Sequence, residues 1–144
     1  MSVASEACPC GRTAGRSDRA LALADCCGRY HRGDVPAPDA ESLMRSRYSA
    51  YVLGLNDYLM QTWHPDTRPE SVDADPNVHW LGLSVKHHGM TGEHTADVRF
   101  VARYKTTGEG GGKAQRMEEL SRFVREVDEG GVERWLYVDG DVTD

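Results

Sequence analysis

The chain has 144 residues, 39% of them apolar and 28% charged, with a formal charge of −6 at pH 7. That length holds one ordinary domain and a short appendage. No apolar run approaches the roughly 18 residues that span a bilayer. The first eight residues offer neither a basic n-region nor an apolar h-region, so the expectation is a cytoplasmic protein with no membrane partner. Residues 1–38 carry five Arg against four acids, and residues 39–144 carry twelve bases against nineteen acids. The larger part would be repelled by phosphate backbones, which disfavours nucleic acid as a partner.

All four cysteines fall in the first 27 residues, as Cys8-Pro9-Cys10 and, after fifteen intervening residues, the adjacent pair Cys26-Cys27. Thiols stay reduced in the cytosol, and neither pair easily closes a disulfide on itself. Two short cysteine pairs brought together by a turn do supply the four soft donors of a tetrahedral Zn²⁺ site. Four protein thiolates would close the coordination sphere, which marks a structural zinc and not a catalytic one. Gly11 permits a turn after the first pair, Ser17 to Ala24 reads as one or two helical turns delivering the second, and Gly28 releases the chain. Arg12, Arg16, Arg19, Arg29 and Arg32 are placed to offset the thiolate charge. His31 is the alternative fourth ligand, in a Cys₃His site. Cys-Pro-Cys-Gly followed by Cys-Cys-Gly-Arg-Tyr-His resembles the SEC-C motif, the zinc knuckle at the C-terminus of the SecA translocase motor, with a longer loop between the pairs than the family's and without its usual Ser-Gly.

Pro36-Ala37-Pro38 reads as a linker that divides the chain into a knuckle, 1–35, and a main domain, 36–144. Asp39 is a good N-cap for a helix whose Ala40, Met44, Arg47, Tyr48, Tyr51 and Leu55 recur at helical spacing, with Gly54 as its exit. Asn56 is placed to cap a second helix reaching Trp63, which His64-Pro65 must end. Arg68 to Val72 suggests one more short turn. From Val78 the pattern changes to β-branched and aromatic residues: 78–90, 95–106, 114–128 and 133–138 predict a four-stranded antiparallel meander. Turns are expected at 91–93, 108–112 and 128–131. Helices followed by a sheet give an α+β fold.

Four segments, Ala40 to Tyr51, Thr62 to Pro69, Glu119 to Glu126 and Trp135 to Gly140, resemble the YchJ-like family. The resemblance implies a SEC-C-type knuckle joined to a domain similar to nuclear transport factor two, in which a curved antiparallel sheet and N-terminal helices form a cone. It implies architecture and leaves activity open, because folds of this kind host both enzymes and binding domains.

The polar residues expected on inward faces are Arg47, His64, Glu119 and Ser121, with Trp63 beside them. Arg47 and His64 could hold an anion, and Glu119 could serve as a base if burial raised its pKa. The plainer reading pairs Arg47 with Glu119 internally and uses Trp63, His64 and Arg68 to fix a turn. No catalytic residue is assigned, and whether the chain is an enzyme is left open. A catalytic reading needs an opening of about 300 Å³ or more on which Arg47, His64 and Glu119 converge. Tyr48, Tyr51, Trp80, Phe100, Tyr104, Phe123 and Trp135 are expected in the core. His79, His87, His88 and His94 are expected on the surface. The leading functional expectation is a zinc-stabilised adaptor whose knuckle contacts another protein. The rival is a small-molecule-binding protein or enzyme using the cone, and an exposed sheet face is compatible with a homodimer.

Overall fold

A computed structural model describes residues 6–13, 19–72, 77–107 and 112–143. A 3₁₀ turn, Leu23–Asp25, leads into a short helix α1, Cys27–His31. Then come α2, Ala40–Leu53, and α3, Asn56–Gln61, followed by four strands: β1 Val78–Met90, β2 Thr95–Thr106, β3 Gln115–Val127 and β4 Glu133–Thr143. The strands pair antiparallel in sequence order. Irregularities at Trp80/Gly82 and Val85/His87 in the β1–β2 pair, and at Arg122/Phe123 in the β3–β4 pair, are bulges of the kind that bend a sheet. The fold is α+β, helices packed on a four-stranded antiparallel sheet.

Helix α2 starts where its cap dictates: the Asp39 carboxylate accepts the Ser42 amide at 2.7 Å. It ends at Gly54, which takes φ 74°, a left-handed turn open to glycine at little cost. Nearly all of its turns are buried, polar residues included, because it lies between the N-terminal module and the sheet. Met44, Tyr48 and Leu43 on one side join Val98, Phe100, Phe123 and Trp135 in the main core. Leu53 and Leu83 of β1 instead cover a second, smaller cluster formed by Leu23 and the four cysteines.

Four local expectations need correction. Of the stretch expected as one or two helical turns before Cys26, only its end, from Leu23, joins the 3₁₀ turn. Residues 19–22 run extended beside the first cysteine pair, with Cys8 N–H on Leu21 O at 2.8 Å, Leu21 N–H on Arg12 O at 3.1 Å and Leu23 N–H on Glu6 O at 2.8 Å. Cross-chain bonds of this kind hold two short segments together without a large core. Ser17 and Asp18, and Arg16 among the expected charge-offsetting residues, lie outside the described residues, as does most of the 108–112 turn. Leu55, and not Asn56, is the N-cap of α3, with no side-chain cap. The turn expected at 68–72 forms earlier, with the Thr67 and Arg68 amides on His64 O at 3.1 and 2.9 Å. Strand β4 also runs past the expected end at Val138, to Thr143.

Candidate functional site

The four cysteines converge. Their sulfurs all lie within 4.8 Å of one another, and each residue is almost wholly buried, Cys10 at 0% and Cys27 at 1% exposure. Cys10 and Cys26 sulfurs stand 3.6 Å apart and are not bonded. Tetrahedral zinc with bonds of ~2.3 Å spaces its ligand sulfurs by roughly 3.8 Å, so the donor set and its spacing fit a closed four-thiolate metal site. The electrostatics lead the same way. Hydrogen bonds from Cys10, Cys26 and Cys27 drive the Cys8 thiol far below its usual range, and those from Cys26 and Cys27 bring Cys10 to about 7. Cys26 and Cys27 are pushed up, first by the hydrogen bond with Cys10. Four thiols in one buried volume cannot all ionise against each other, and a dication removes that conflict.

His31 is not brought to this cluster among the described residues. Its Nε2 lies 2.8 Å from the Ser46 carbonyl, where it must donate, and its ring stands edge-on to Tyr58. The expected role of Gly28 also changes. It lies inside α1, and a β-carbon there would meet the Leu23 carbonyl oxygen at 2.6 Å, so glycine is required for the close approach that places Cys26 and Cys27.

Helix α2 receives this module along a stripe of serines at positions 42, 46 and 49, all essentially buried. Arg12 donates to Ser42 Oγ at 3.1 Å and pairs with Glu41 at 3.3 Å. Cys8 Sγ lies 3.5 Å from Ser49 Oγ, and Arg45 donates to the Cys10 carbonyl at 2.9 Å. Arg29, one of the expected charge-offsetting residues, donates to the Cys26 carbonyl at 3.1 Å, while Arg32 is spent on Asp34 and Ala24 O. Arg45 and the serines escaped the sequence reading. Their only signal was the 42, 46, 49 spacing of small polar residues on one helical face.

The next face of α2, Met44, Arg47, Tyr48 and Tyr51, walls a cavity of about 220 Å³. The opposite wall is Glu119, Ser121 and Phe123 of β3, closed by Trp63, Trp80, Phe100 and Tyr137. Four of the five sequence candidates, Arg47, Trp63, Glu119 and Ser121, therefore reach one cavity. His64 does not: its ring hydrogen-bonds Glu126 at 2.9 Å and accepts the Asp66 amide at 3.1 Å, outside the cavity. With Arg68, which donates twice to Trp63 O, it fixes the turn between α3 and the sheet.

Arg47, only 6% exposed, forms no salt bridge among the described residues, so the expected internal pair with Glu119 is not made. Its Nη1 donates to Leu59 O at 2.8 Å and Thr62 Oγ1 at 2.6 Å, and its guanidinium stacks on Trp63 and Tyr137 at 5.0 and 4.6 Å. Burial pulls its pKa down. Glu119 accepts on Oε2 from Ser121 Oγ and from Tyr137 OH, the latter at 3.3 Å. A β-carbon at Gly140 would meet that same oxygen at 2.6 Å, so Gly140 makes room for the carboxylate. Burial raises Tyr48 to about 12 and pushes Tyr51 and Tyr137 upward, which keeps these hydroxyls protonated donors. The histidines at 79, 87, 88 and 94 are all exposed, and the cysteine cluster is the sole metal-type grouping among the described residues. No helix described is long and apolar enough to cross a membrane.

A family model described as "YchJ, middle NTF2-like domain" matches residues 39–140. A UPF0225 protein of Cupriavidus metallidurans is 54% identical over 136 residues, covering 94% of this chain and 88% of its own. The crystal structure of a SEC-C motif containing protein from Psychrobacter arcticus superposes with TM-score 0.81 at 31% identity, over 100% of this chain and 86% of that one. The solution structure of another SEC-C motif containing protein, from Rhodopseudomonas palustris, gives 0.73 at 31% identity, over 96% and 100%. With the cysteine cluster at one end and the cavity-bearing α+β domain behind it, the chain belongs to the YchJ-like family.

Proposed function

We propose that this is a zinc-stabilised binding protein whose ligand is a small molecule held in the interior cavity. The observation that carries the reading is the position of α2: its serine stripe seals the cysteine cluster, and its next face walls the cavity. Four buried soft donors leave no open position for substrate or water, so the metal's task is to hold the N-terminal segment in place. The module's apolar side chains, Leu21 and Leu23, turn inward onto Leu53 and Leu83, and Arg12 is committed to α2. These contacts favour a structural knuckle over an adaptor whose main business is gripping another protein. Binding is preferred to catalysis because Arg47, His64 and Glu119 do not converge: His64 lies outside the cavity, on Glu126.

Metal analysis of natively purified protein should find about one zinc per chain, lost in Cys26→Ser. Crystals exposed to toluene should show it between Trp63 and Phe100, as apolar cavities of this size take up small arenes. Metal-free protein with an ordered knuckle would end the zinc reading, and an interior that excludes toluene would end the cavity reading. Proteins that co-purify with wild type and are lost with Cys26→Ser, Cys27→Ser would restore the adaptor.

A further inference from the structure

The geometry points to a specific ligand class for that cavity: a small carboxylate with an apolar or planar body and a hydrogen-bond donor at its far end, an amino- or hydroxy-substituted single-ring acid being the type. This rests on the cavity reading above and deepens it.

One buried charge in this cavity has no anion in contact with it. Arg47 is buried on the cavity wall and makes no salt bridge among the described residues: the Leu59 carbonyl, the Thr62 hydroxyl and two aromatic faces hold its guanidinium, with the Tyr51 hydroxyl beside it and the Glu119 carboxylate acting on it without contact. A buried cation without an anion is costly, and the compartment it faces favours whatever supplies one. Beside it, Trp63 Nε1 is buried with no acceptor, and the Trp63 ring is the one on which Arg47 stacks, at 5.0 Å. A buried guanidinium with no anion in contact, next to an indole N–H with no acceptor, suits the two oxygens of a carboxylate.

The far pole has the opposite character. Both donors to Glu119 land on Oε2, from Ser121 and Tyr137, and Oε1 takes no hydrogen bond among the described residues. A ligand hydroxyl or amino group would fill that place. Tyr137 ties the poles together, its ring face under Arg47 at 4.6 Å and its hydroxyl on Glu119. The rest of the lining includes Tyr48, Trp80, Phe100 and Phe123, which suits an apolar body and not a hydrated inorganic anion. About 220 Å³ is the volume of roughly seven waters at ~30 Å³ each, room for one substituted ring.

The test is a titration of the full-length, zinc-loaded chain followed by ¹H–¹⁵N spectra, with 4-aminobenzoate, benzoate, benzamide and aniline as probes. The Trp63 indole resonance should move saturably with benzoate, benzamide should bind at least about tenfold more weakly, and 4-aminobenzoate should bind tightest. Trp63→Phe, which keeps an aromatic face but removes the orphan donor together with the five-membered ring, should weaken benzoate severalfold with the fold intact, followed on backbone amides of the cavity wall. Arg47→Met should erase the preference for benzoate over benzamide, and Glu119→Gln should erase only the advantage of the amino group. Equal binding of benzoate and benzamide would overturn the carboxylate assignment while leaving the cavity reading standing. No saturable response of Trp63 to any probe would overturn both.

Discussion

Replacing Arg47 with Met separates a structural from a ligand-holding arginine. The substitution keeps the length and most of the volume of a side chain that is 6% exposed. What is lost can be itemised. The Leu59 carbonyl loses its closer donor and keeps Thr62 Oγ1 at 3.4 Å, a cost of about 1–3 kcal/mol at most. Thr62 Oγ1 keeps its bond to Tyr58 O at 2.8 Å and stays satisfied. Two cation–π contacts go, at roughly 0.5–2 kcal/mol each, partly replaced by thioether contacts of ~0.3–1.5 kcal/mol with the same rings. Against this, a desolvated charge without a carboxylate partner is removed, which relieves several kcal/mol on the order of the penalty for a buried ion. These opposed effects leave a net change within about 2 kcal/mol of zero. Urea unfolding monitored by tryptophan fluorescence measures it, with an unchanged slope as evidence that the unfolding transition is the same one. A loss of about 4 kcal/mol or more would place Arg47 among the structural residues and remove the reason for assigning its charge to a ligand.

Gly140→Ala drives a β-carbon into Glu119, so the carboxylate must swing off Ser121 and Tyr137. The expected cost is about 1–3 kcal/mol, and it should largely vanish in a Glu119→Ala background, a non-additivity that a double-mutant cycle reads directly. His31 is held neutral by burial, its pKa pulled below the ordinary 6.5. Because the unfolded chain binds the proton more readily, stability is full above pH 6.5 and falls as pH drops below it. His31→Gln, which cannot titrate, should flatten that part of the stability profile, and an unaltered slope would show that His31 does not contribute to it. Removing the metal with a chelator should speed amide exchange at 6–13 and 19–31 before the β2–β3 amides respond, because the cluster of Leu23 and the cysteines is small and the thiolates repel one another once the cation is gone. Simultaneous loss of protection throughout would instead mean that knuckle and sheet unfold as one unit.

The parts legible from sequence are those written in local chemistry. Cysteine spacing carries its own meaning because few arrangements other than metal ligation explain two close pairs. The bounds of α2 follow from Asp39 and Gly54, which satisfy or release the helix ends whatever lies around them. Strand positions came from runs of β-branched and aromatic residues divided by turn residues, a composition that suits a pleated, half-buried surface. What could not be read depends on partners distant in sequence. The extended run at 19–22 is set by Cys8 and Arg12 across the module, and local alanines and leucines favour helix until those bonds are counted. Arg47 could be placed inside from its helical stripe, but its partners, Leu59 O and Thr62, depend on how α3 returns. His64 looked inward by proximity to Trp63, yet adjacent residues in an extended segment point opposite ways.

Tyr137 shows how far one irregularity reaches. Ser121 pairs with Gly140 and Arg122 with Asp139, but Phe123 pairs with Tyr137, so Val138 is the residue skipped at the bulge. In regular register Phe123 would face Val138 and Tyr137 would turn to the other side of the sheet, since a one-residue slip exchanges the faces. The bulge therefore lets both Gly140 and Tyr137 point inward from one strand: the glycine admits Glu119, and the tyrosine supplies that carboxylate with a donor and Arg47 with a ring. The same residue is pinned from outside the sheet, Tyr137 N–H on Thr62 O and His64 N–H on Tyr137 O, each at 2.8 Å. Those bonds fix Thr62 and Trp63, the two side chains that position Arg47. A single skipped valine thus joins the sheet, the α3 return and the buried cation into one site. Neither the helical stripe nor the strand pattern, read separately, contains that connection.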